Sequence, residues 1–327
     1  MSAATLDDAA DQEQLAERGI ALAEAERQLA VLARPPGWAV LDRPCTPGDG
    51  IEQLSDSHIT SLLESHAGAA AAGRVSAFVP ASGAATRMFK DLLAARELAG
   101  ELAPGSVRAR DDAAARALVT FAEALPRFAF AGALAEVLSA RGLDLEHMRA
   151  HGPWRALLDA LLAPDGLDVV RAPKGLLAFH REQGVTRTAF EEHLIEVCAL
   201  AGDARGNRVL HVTVSPEHRD GFNRLLAERL PALTVRLGGR WHVGFSAQDP
   251  STDTLAGDPA GGPFRDEHGR LLFRPSGHGA LIGNLAATLG DLVFLKNIDN
   301  VAVARLQPHT ERPRRGAPHR AFRRDVG

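Results

Sequence analysis

The segment from Ser76 to Lys90 contains residue types that could bind a phosphate group. It includes the run Ala77-Phe78-Val79-Pro80-Ala81-Ser82-Gly83-Ala84-Ala85-Thr86-Arg87, after which apolar residues return at helical spacing. The pattern predicts a strand, a tight loop and the start of a helix. Such a loop directs backbone N–H groups toward an anion, and Arg87 can add a bidentate contact. An ordinary strand-to-helix turn has the same pattern, so both interpretations stand at this point.

Two other short segments carry charged residues beside predicted strands. Pro173-Lys174-Gly175 precedes an apolar run, and its lysine could neutralise a transferring phosphoryl group. Lys296-Asn297-Ile298-Asp299-Asn300 follows the apolar run from Leu292 to Leu295. Asp299 would then lie at the carboxyl end of a strand and could bind Mg²⁺, which proteins hold with one or two carboxylates plus substrate phosphates. The alternatives are a plain turn for the first segment and an Asn/Asp turn for the second.

Two loops could contact the other parts of a nucleotide sugar. In Arg274-Pro275-Ser276-Gly277-His278-Gly279, two glycines flank a histidine and would let a flat base lie against the backbone. The loop from Gln248 to Thr254 offers hydroxyl and carboxylate groups to a sugar. Its candidate contacts are Thr252 and Asp253. The alternatives are a solvent-facing histidine cap and an ordinary polar turn.

The elements that would position these residues follow an α/β pattern. Residues 1–75 have helical periodicity and are predicted to form an N-terminal layer, and a helical insertion is predicted at about 106–162. From Gly166, strands and helices alternate, which predicts a doubly wound mixed sheet with ligands outside the carboxyl ends of its strands. The predicted strands are 176–179, 209–214, 235–237, 241–245, 271–273 and 292–295, and the helices between them are 188–201, 216–230 and 278–289. The predicted α/β domain is 76–306.

Charge and composition restrict the class of protein. The net charge is −4, but residues 301–327 carry seven arginines against Glu311 and Asp325, so the rest of the chain is more acidic than the total suggests. This body is not expected to bind nucleic acid. No signal peptide or run of about 18 apolar residues is visible, and the two cysteines have no metal or redox spacing. We therefore expect a cytoplasmic protein with no membrane partner.

Order and spacing of these motifs resemble a known group of enzymes. The block from Arg274 to Val301 resembles UDP-glucose pyrophosphorylase, whose pattern runs Pro-Gly-His-Gly, helix, apolar strand and Asn-x-Asp-Asn. Pro80 to Met88 is similar to the Ala-Gly-Gly-x-Gly-Thr-Arg-Met loop of sugar nucleotidyltransferases, and Pro173-Lys174 is similar to their Pro-Lys. The chain most resembles an uncharacterised bacterial family, the domain of unknown function 4301.

The resemblance implies a GT-A-type nucleotidyltransferase fold and a Mg²⁺-dependent reaction. A nucleoside triphosphate, with UTP favoured, and a sugar 1-phosphate would form a nucleotide sugar and pyrophosphate. By the same resemblance Arg87 and Lys174 would be catalytic, and Asp299 would bind the metal. The residues that would bind the nucleotide are Ala81, Ser82, Gly83, Ala84, Thr86, Gly277, His278 and Gly279. The candidate substrate contacts are Thr252, Asp253, Lys296 and Asn297.

Two departures from the pattern keep other functions open. Ser82 and Ala85 stand where the related loops have glycine, and the sequence after Leu306 becomes rich in proline and arginine. We expect a chain truncated or frame-shifted near Gln307, with a disordered tail at 307–327. The alternatives to a nucleotidyltransferase are a non-catalytic protein that binds a nucleotide or nucleotide sugar, and a GT-A glycosyltransferase.

Overall fold

The computed structural model describes residues 6, 8–34, 37–258 and 261–306, which form α-helices joined by short strands and 3₁₀ turns. The α-helices are α1 (Ala9–Arg18), α2 (Leu22–Ala33), α3 (Asp56–Ala71), α4 (Lys90–Arg96), α5 (Pro104–Arg108), α6 (Ala113–Ala124), α7 (Ala131–Ala140), α8 (Leu145–His151), α9 (Trp154–Leu162), α10 (Ala189–Leu200), α11 (Arg219–Leu237) and α12 (Ile282–Ala286). The strands are β1 (Thr46–Pro47), β2 (Gly50–Ile51), β3 (Val75–Pro80), β4 (Ala178–Glu182), β5 (Val185–Thr188), β6 (Asn207–Thr213), β7 (Arg240–Ser246), β8 (Thr254–Leu255), β9 (Phe273–Arg274) and β10 (Leu292–Leu295).

The main sheet has four strands in the order β10-β3-β6-β7. The pairs β10–β3 and β3–β6 are parallel, with Phe294 opposite Ala77 and Val79 opposite Val212. Every residue of β3 is buried, as expected for an inner strand of a parallel sheet covered on both faces. The predicted α/β class with a parallel sheet is confirmed.

Two compact units divide the chain, and each combines separate stretches of sequence. The N-terminal unit contains the described residues of Met1–Leu62 and Ser246–Thr288, and the sheet unit contains Leu63–Phe245 and those of Leu289–Gly327. This division differs from the boundary predicted at residue 75, because α1 and α2 pack with a segment distant in sequence. Leu15 and Leu29 share a buried cluster with Leu255 and Leu271.

Local signals explain the helices of the N-terminal unit. The start of the predicted helical layer forms two helices, α1 and α2, because Gly19 adopts a left-handed conformation (φ 74°) and ends α1. Asp8 caps the start of α1 by accepting a hydrogen bond from the Ala10 N–H. The carboxylate of Asp11 is 1 % exposed and forms a bidentate pair with Arg265, with both distances 2.7 Å. These contacts join the two stretches of this unit.

Helices α5–α9 fill the region where a helical insertion was predicted, and they share a buried core with α4 and the segment before it. Phe121, Leu134 and Trp154 are buried in this core. No single helix in the described parts of the chain has the length and apolar character needed to cross a membrane. The helical stretches Ala113–Arg127 and Ala131–Ala140 reach that length and composition only together, with a 100° bend between them.

Several predicted elements differ from the observed ones. Residues 235–237 were predicted to form a strand, but they are the last turn of α11. Val235 is 89 % exposed, so it does not pack in a sheet. The strand Leu292–Leu295 is parallel, but it lies at the sheet edge and is only partly buried. The helix predicted at 278–289 is a 3₁₀ turn followed by α12, and the last described element is a short 3₁₀ turn, Ala304–Leu306. The predicted tail at 307–327 lies outside the described residues.

Candidate active site

The predicted phosphate loop lies between β3 and a 3₁₀ turn at Thr86–Phe89, which leads into α4. The predicted order of strand, loop and helix is therefore found. Because α4 has seven residues and starts after a 3₁₀ turn, its dipole adds little to the loop. Any anion bound here would depend on loop N–H groups and nearby cations.

Backbone hydrogen bonds join this loop to the segment that carries Lys174. The N–H of Ala85 donates to the carbonyl of Ala172, and the N–H of Lys174 donates to the carbonyl of Gly83, both at 3.3 Å. These two bonds form an isolated antiparallel bridge between Ala84 and Pro173. Residues about 90 positions apart are thus held in a defined register, and the lysine backbone is fixed beside the loop.

The Asn297–Asn300 turn completes the cluster. Lys174 Nζ lies 2.6 Å from an Asp299 carboxylate oxygen, and the Lys174 and Asp299 side chains are 19 % and 37 % exposed. Asp299 follows β10 on a turn closed by the Asn300 N–H, which donates to the Asn297 carbonyl. The structure therefore brings together the loop, Lys174 and Asp299, three of the segments singled out in the sequence.

The exposed side of the loop presents donors and positive charge. Gly83 and Ala84 are exposed, and their N–H groups make no hydrogen bond within the part of the chain that the structure describes. Arg87 and Lys90 are also exposed and make no ion pair with any described residue. Because Lys174 and Asp299 neutralise each other, Arg87 and Lys90 leave the local charge positive. This combination is suited to an anionic ligand.

Other loop residues have structural contacts. Ala81 is buried and its N–H donates to the Thr213 carbonyl at 2.8 Å, and the Thr86 hydroxyl donates to the Val170 carbonyl. Ser82 is half-buried, and its carbonyl accepts a hydrogen bond from the Ser215 hydroxyl. Ala85 is fully buried, so its methyl group packs in the core. The replacement of glycine by Ala85 therefore adds no side chain to the exposed face of the loop.

The donor set at Asp299 suits a metal ion that arrives with a ligand. No group of three or more His, Cys, Asp or Glu residues with metal-binding geometry occurs among the described residues. A cation such as Mg²⁺ usually keeps waters and binds one or two carboxylates together with substrate phosphates. Asp299 fits that role as one carboxylate, and a cation carried by a triphosphate would have to compete with Lys174 for it.

Lys296 and Asn297 face opposite sides of the chain. The Lys296 side chain is 8 % exposed, and its ammonium forms an ion pair with the buried Glu196 of α10. It therefore points into the sheet unit, away from the exposed face that carries Lys174, and we leave it out of the proposed ligand contacts. Asn297 is exposed on the same turn as Asp299 and remains a candidate contact.

The remaining candidates belong to the N-terminal unit. Asp253 is held by Arg18 at 2.6 Å and by the Gln248 amide, and the Thr252 hydroxyl donates to the Asp249 carbonyl. These bonds stabilise the 248–254 loop itself, so the polar-turn interpretation describes it well. Gly277, His278 and Gly279 are exposed, and a β-carbon added to either glycine would meet no atom within 4 Å. Packing within the protein does not require glycine at either position.

Three residues that support the site were not singled out in the sequence. Ser215 precedes a 3₁₀ turn, but its hydroxyl makes no capping bond and instead donates to the Ser82 carbonyl of the loop. His193 and Glu196 lie on α10, and His193 Nε2 donates to the carbonyl of Ile298 at 3.1 Å. The sequence did contain a signal for His193 and Glu196, because both interrupt the apolar face of a predicted helix that packs on the sheet.

Comparison with known proteins identifies the family. A family model described as a domain of unknown function (DUF4301) matches residues 8–315. The chain belongs to this family. The resemblance to the DUF4301 family drawn from its motifs is thus confirmed, and no curated protein matches the chain.

Among solved structures, the chain is similar to the uridine diphosphate N-acetylglucosamine pyrophosphorylase from Trypanosoma brucei, determined in complex with an inhibitor. The two chains are 16 % identical, and their superposition has a TM-score of 0.39. The match covers 75 % of this DUF4301 chain and 35 % of the trypanosomal chain, so the DUF4301 protein spans about a third of that neighbour's length.

Proposed function

We propose that this DUF4301 protein is a nucleotidyltransferase that forms a nucleotide sugar from a nucleoside triphosphate and a sugar 1-phosphate. The observation that carries the proposal is the convergence of the 81–87 loop, Lys174 and Asp299. The motif resemblance assigns related roles to the same three segments. UTP is the favoured triphosphate on that resemblance.

In the proposed reaction, an oxygen of the sugar 1-phosphate attacks the α-phosphorus of the triphosphate. The bond to the bridging oxygen breaks, and its electron pair leaves with pyrophosphate. The N–H groups of Gly83 and Ala84, with Arg87, would hold the phosphates, and Lys174 would neutralise charge that develops during transfer. Mg²⁺ bound to the triphosphate would lower its negative charge, and Asp299 would orient that complex.

Binding of a ligand requires Lys174 and Asp299 to exchange partners. Their 2.6 Å ion pair is partly exposed, and pairs of this kind contribute about 0–1 kcal/mol to stability. A phosphate on Lys174 and a cation on Asp299 would replace this interaction at small cost. The pair can therefore hold both side chains close to their proposed positions without blocking the site.

A non-catalytic protein that binds a nucleotide or nucleotide sugar is the second candidate. It is favoured because no group of three or more His, Cys, Asp or Glu residues that could hold a metal ion occurs among the described residues. A GT-A glycosyltransferase is the further alternative from the sequence. The three activities differ in their products, because only the first releases pyrophosphate.

The proposal is tested by thermal unfolding with a panel of nucleoside triphosphates and UDP-sugars, with and without Mg²⁺. A ligand that binds only the native state raises the melting temperature by mass action. We expect a Mg²⁺-dependent rise with one triphosphate, and pyrophosphate release once a sugar 1-phosphate is added. A rise without pyrophosphate release would favour the binding protein. Release of nucleoside diphosphate from a UDP-sugar and an acceptor would favour the glycosyltransferase, and no rise with any nucleotide would refute all three.

Asp299→Asn tests the role of the carboxylate, and Asp291→Asn is its matched control. Asp299 follows the carboxyl end of β10, whereas Asp291 precedes its amino end, and each pairs with one basic side chain. We expect both variants to change stability by less than about 1 kcal/mol, since the Lys174–Asp299 pair is partly exposed and the Arg74–Asp291 pair is exposed. The Mg²⁺-dependent shift and pyrophosphate release should be lost in Asp299→Asn alone. Equal activity in the two variants would remove Asp299 from the mechanism.

A further inference from the structure

A buried polar network lies directly behind the turn that carries Asp299. Lys296 and Glu196 form an ion pair in which the side chains are 8 % and 3 % exposed. His193 Nδ1 lies 3.7 Å from the other carboxylate oxygen of Glu196, and the His193 side chain is 3 % exposed. Charged groups are costly to bury, so a network of this kind in a helix–sheet interface calls for an explanation beyond packing.

The network contacts the turn at two points. His193 Nε2 donates to the Ile298 carbonyl at 3.1 Å, and this carbonyl belongs to the residue that precedes Asp299. Lys296 is held through both its backbone and its side chain, because its N–H also donates to the Phe78 carbonyl of β3 at 3.1 Å. The turn is therefore tied to α10 and to the central strand.

Exposed and buried side chains alternate from Leu295 to Asp299, and this alternation explains why the Asp299 side chain lies on the exposed side. Successive side chains of a strand point to opposite sides, and the same alternation of exposed and buried residues continues from the end of β10 into the turn. Leu295, Asn297 and Asp299 are exposed, whereas the residues between them, Lys296 and Ile298, are buried. Anchoring Lys296 and the Ile298 carbonyl inside the protein therefore keeps Asn297 and Asp299 on the exposed side, where Asp299 pairs with Lys174.

We propose that His193, Glu196 and Lys296 are positioning residues that fix the 297–300 turn, and with it the carboxylate of Asp299, for the phosphates and cation of the incoming triphosphate. The assignment of a ligand to Asp299 rests on the proposed function. The effect on the turn does not rest on it, because it follows from hydrogen bonds within the protein.

Two variants of His193 separate the hydrogen bond from the packing. His193→Leu fills the same core position without a donor, and His193→Gln retains an N–H₂ donor near the place of Nε2. His66→Leu is a matched control, because His66 is also buried and its Nε2 donates to a backbone carbonyl of α10, that of Leu200, at 2.9 Å. If His193→Leu does not fold, His193→Met serves as the apolar variant.

The first readout is amide hydrogen exchange in the absence of any nucleotide. Exchange reports local opening of the segment that contains the amide. In His193→Leu we expect the Asn300 amide, which closes the turn, to exchange at least about tenfold faster than in the wild type. The Leu292 amide at the start of β10, which donates to the Arg74 carbonyl, serves as an internal reference. His193→Gln should restore most of the protection, and His66→Leu should leave the turn unchanged.

The second readout is nucleotidyl transfer with UTP, Mg²⁺ and a sugar 1-phosphate. A misplaced carboxylate should lower kcat about 10- to 100-fold in His193→Leu, and the donor retained in His193→Gln should restore most of the activity. Unchanged exchange at Asn300 in His193→Leu, or equal effects in His66→Leu, would overturn the positioning role. Faster exchange in His193→Leu with no nucleotide binding even in the wild type would uphold the positioning of the turn and refute the proposed function.

Discussion

Gly175 offers a sharp test of how the candidate site is packed. A β-carbon at this position would lie 2.7 Å from two ring carbons of Phe222 and 3.3 Å from Cγ1 of Ile298. Phe222 is fully buried and packs edge-on against Phe190, with ring centroids 5.2 Å apart. The Phe222 ring therefore has little room to move away. Gly175→Ala should shift either this aromatic cluster or the backbone that presents Lys174.

The expected loss of stability follows from two opposing terms. Insertion of one methyl group into a well-packed core costs about 1–3 kcal/mol. Replacing glycine by alanine also restricts the unfolded chain, which offsets about 0.4–1 kcal/mol where the backbone conformation permits alanine. Gly175 does not have a positive φ, so this offset applies. We expect a net loss of about 1–2 kcal/mol.

Gly83→Ala is the matched control in the same site. A β-carbon on Gly83 would meet no atom within 4 Å, and Gly83 also lacks a positive φ. Its free energy of unfolding should stay within about 0.5 kcal/mol of the wild type or rise slightly. If the loop binds phosphate, however, the added methyl group lies where the phosphate approaches, so this variant should lose the nucleotide-dependent rise in melting temperature.

Urea unfolding followed by far-ultraviolet circular dichroism measures both variants. The midpoint should fall for Gly175→Ala and remain near the wild-type value for Gly83→Ala, with unchanged m-values if the extent of unfolding is the same. Equal midpoints for all three proteins would show that the contact between Gly175 and Phe222 is loose, and would refute the packing argument. If Gly83→Ala lost as much stability as Gly175→Ala, this would contradict the finding that a β-carbon on Gly83 has open space around it.

Two further variants test buried charges elsewhere in the chain. Arg265→Ala removes the bidentate partner of the buried Asp11 carboxylate and should cost about 3 kcal/mol in urea unfolding, whereas Arg43→Ala, which breaks exposed pairs, should cost less than about 1 kcal/mol. Similar losses of stability in the two variants would show that the buried Asp11 carboxylate does not need Arg265 as its partner. Burial raises the pKa of Glu192 above its ordinary value of 4.5, although Arg187 opposes the rise. Because the folded state then holds this proton to higher pH than the unfolded state, wild-type stability should fall relative to Glu192→Gln as pH rises above about 4.5. Parallel stability profiles of these two proteins between pH 4 and 8 would contradict this sign.

Local sequence patterns predicted those elements whose stabilising contacts are near in sequence. The buried run before the 81–87 loop forms β3, and the helix predicted at 188–201 is α10, which starts with a capping box between Thr188 and Glu191. Both signals act within a few residues. The predicted strand at 235–237 failed because three apolar residues at the end of a long polar helix look like a short strand when the helix's extent is unknown.

Motif order predicted which segments meet at the candidate site. The loop, Lys174 and Asp299 lie together because parallel strands place their carboxyl ends at one edge of a sheet, and because a backbone bridge adds the 172–174 segment. The roles of these residues toward a ligand remain predictions. So do the contributions of Gly277, His278 and Gly279.

Residue type alone could not distinguish a ligand contact from a structural ion pair. Lys296 and Asp253 were both candidate substrate contacts, but their partners, Glu196 and Arg18, are 100 and 235 residues away in the sequence. Sequence patterns were sufficient to predict the parallel α/β class, the strand, loop and helix at 76–93, and the proximity of the three segments. They were not sufficient to predict which charged side chains turn inward and pair, because that depends on which distant helix packs against each segment in the folded protein.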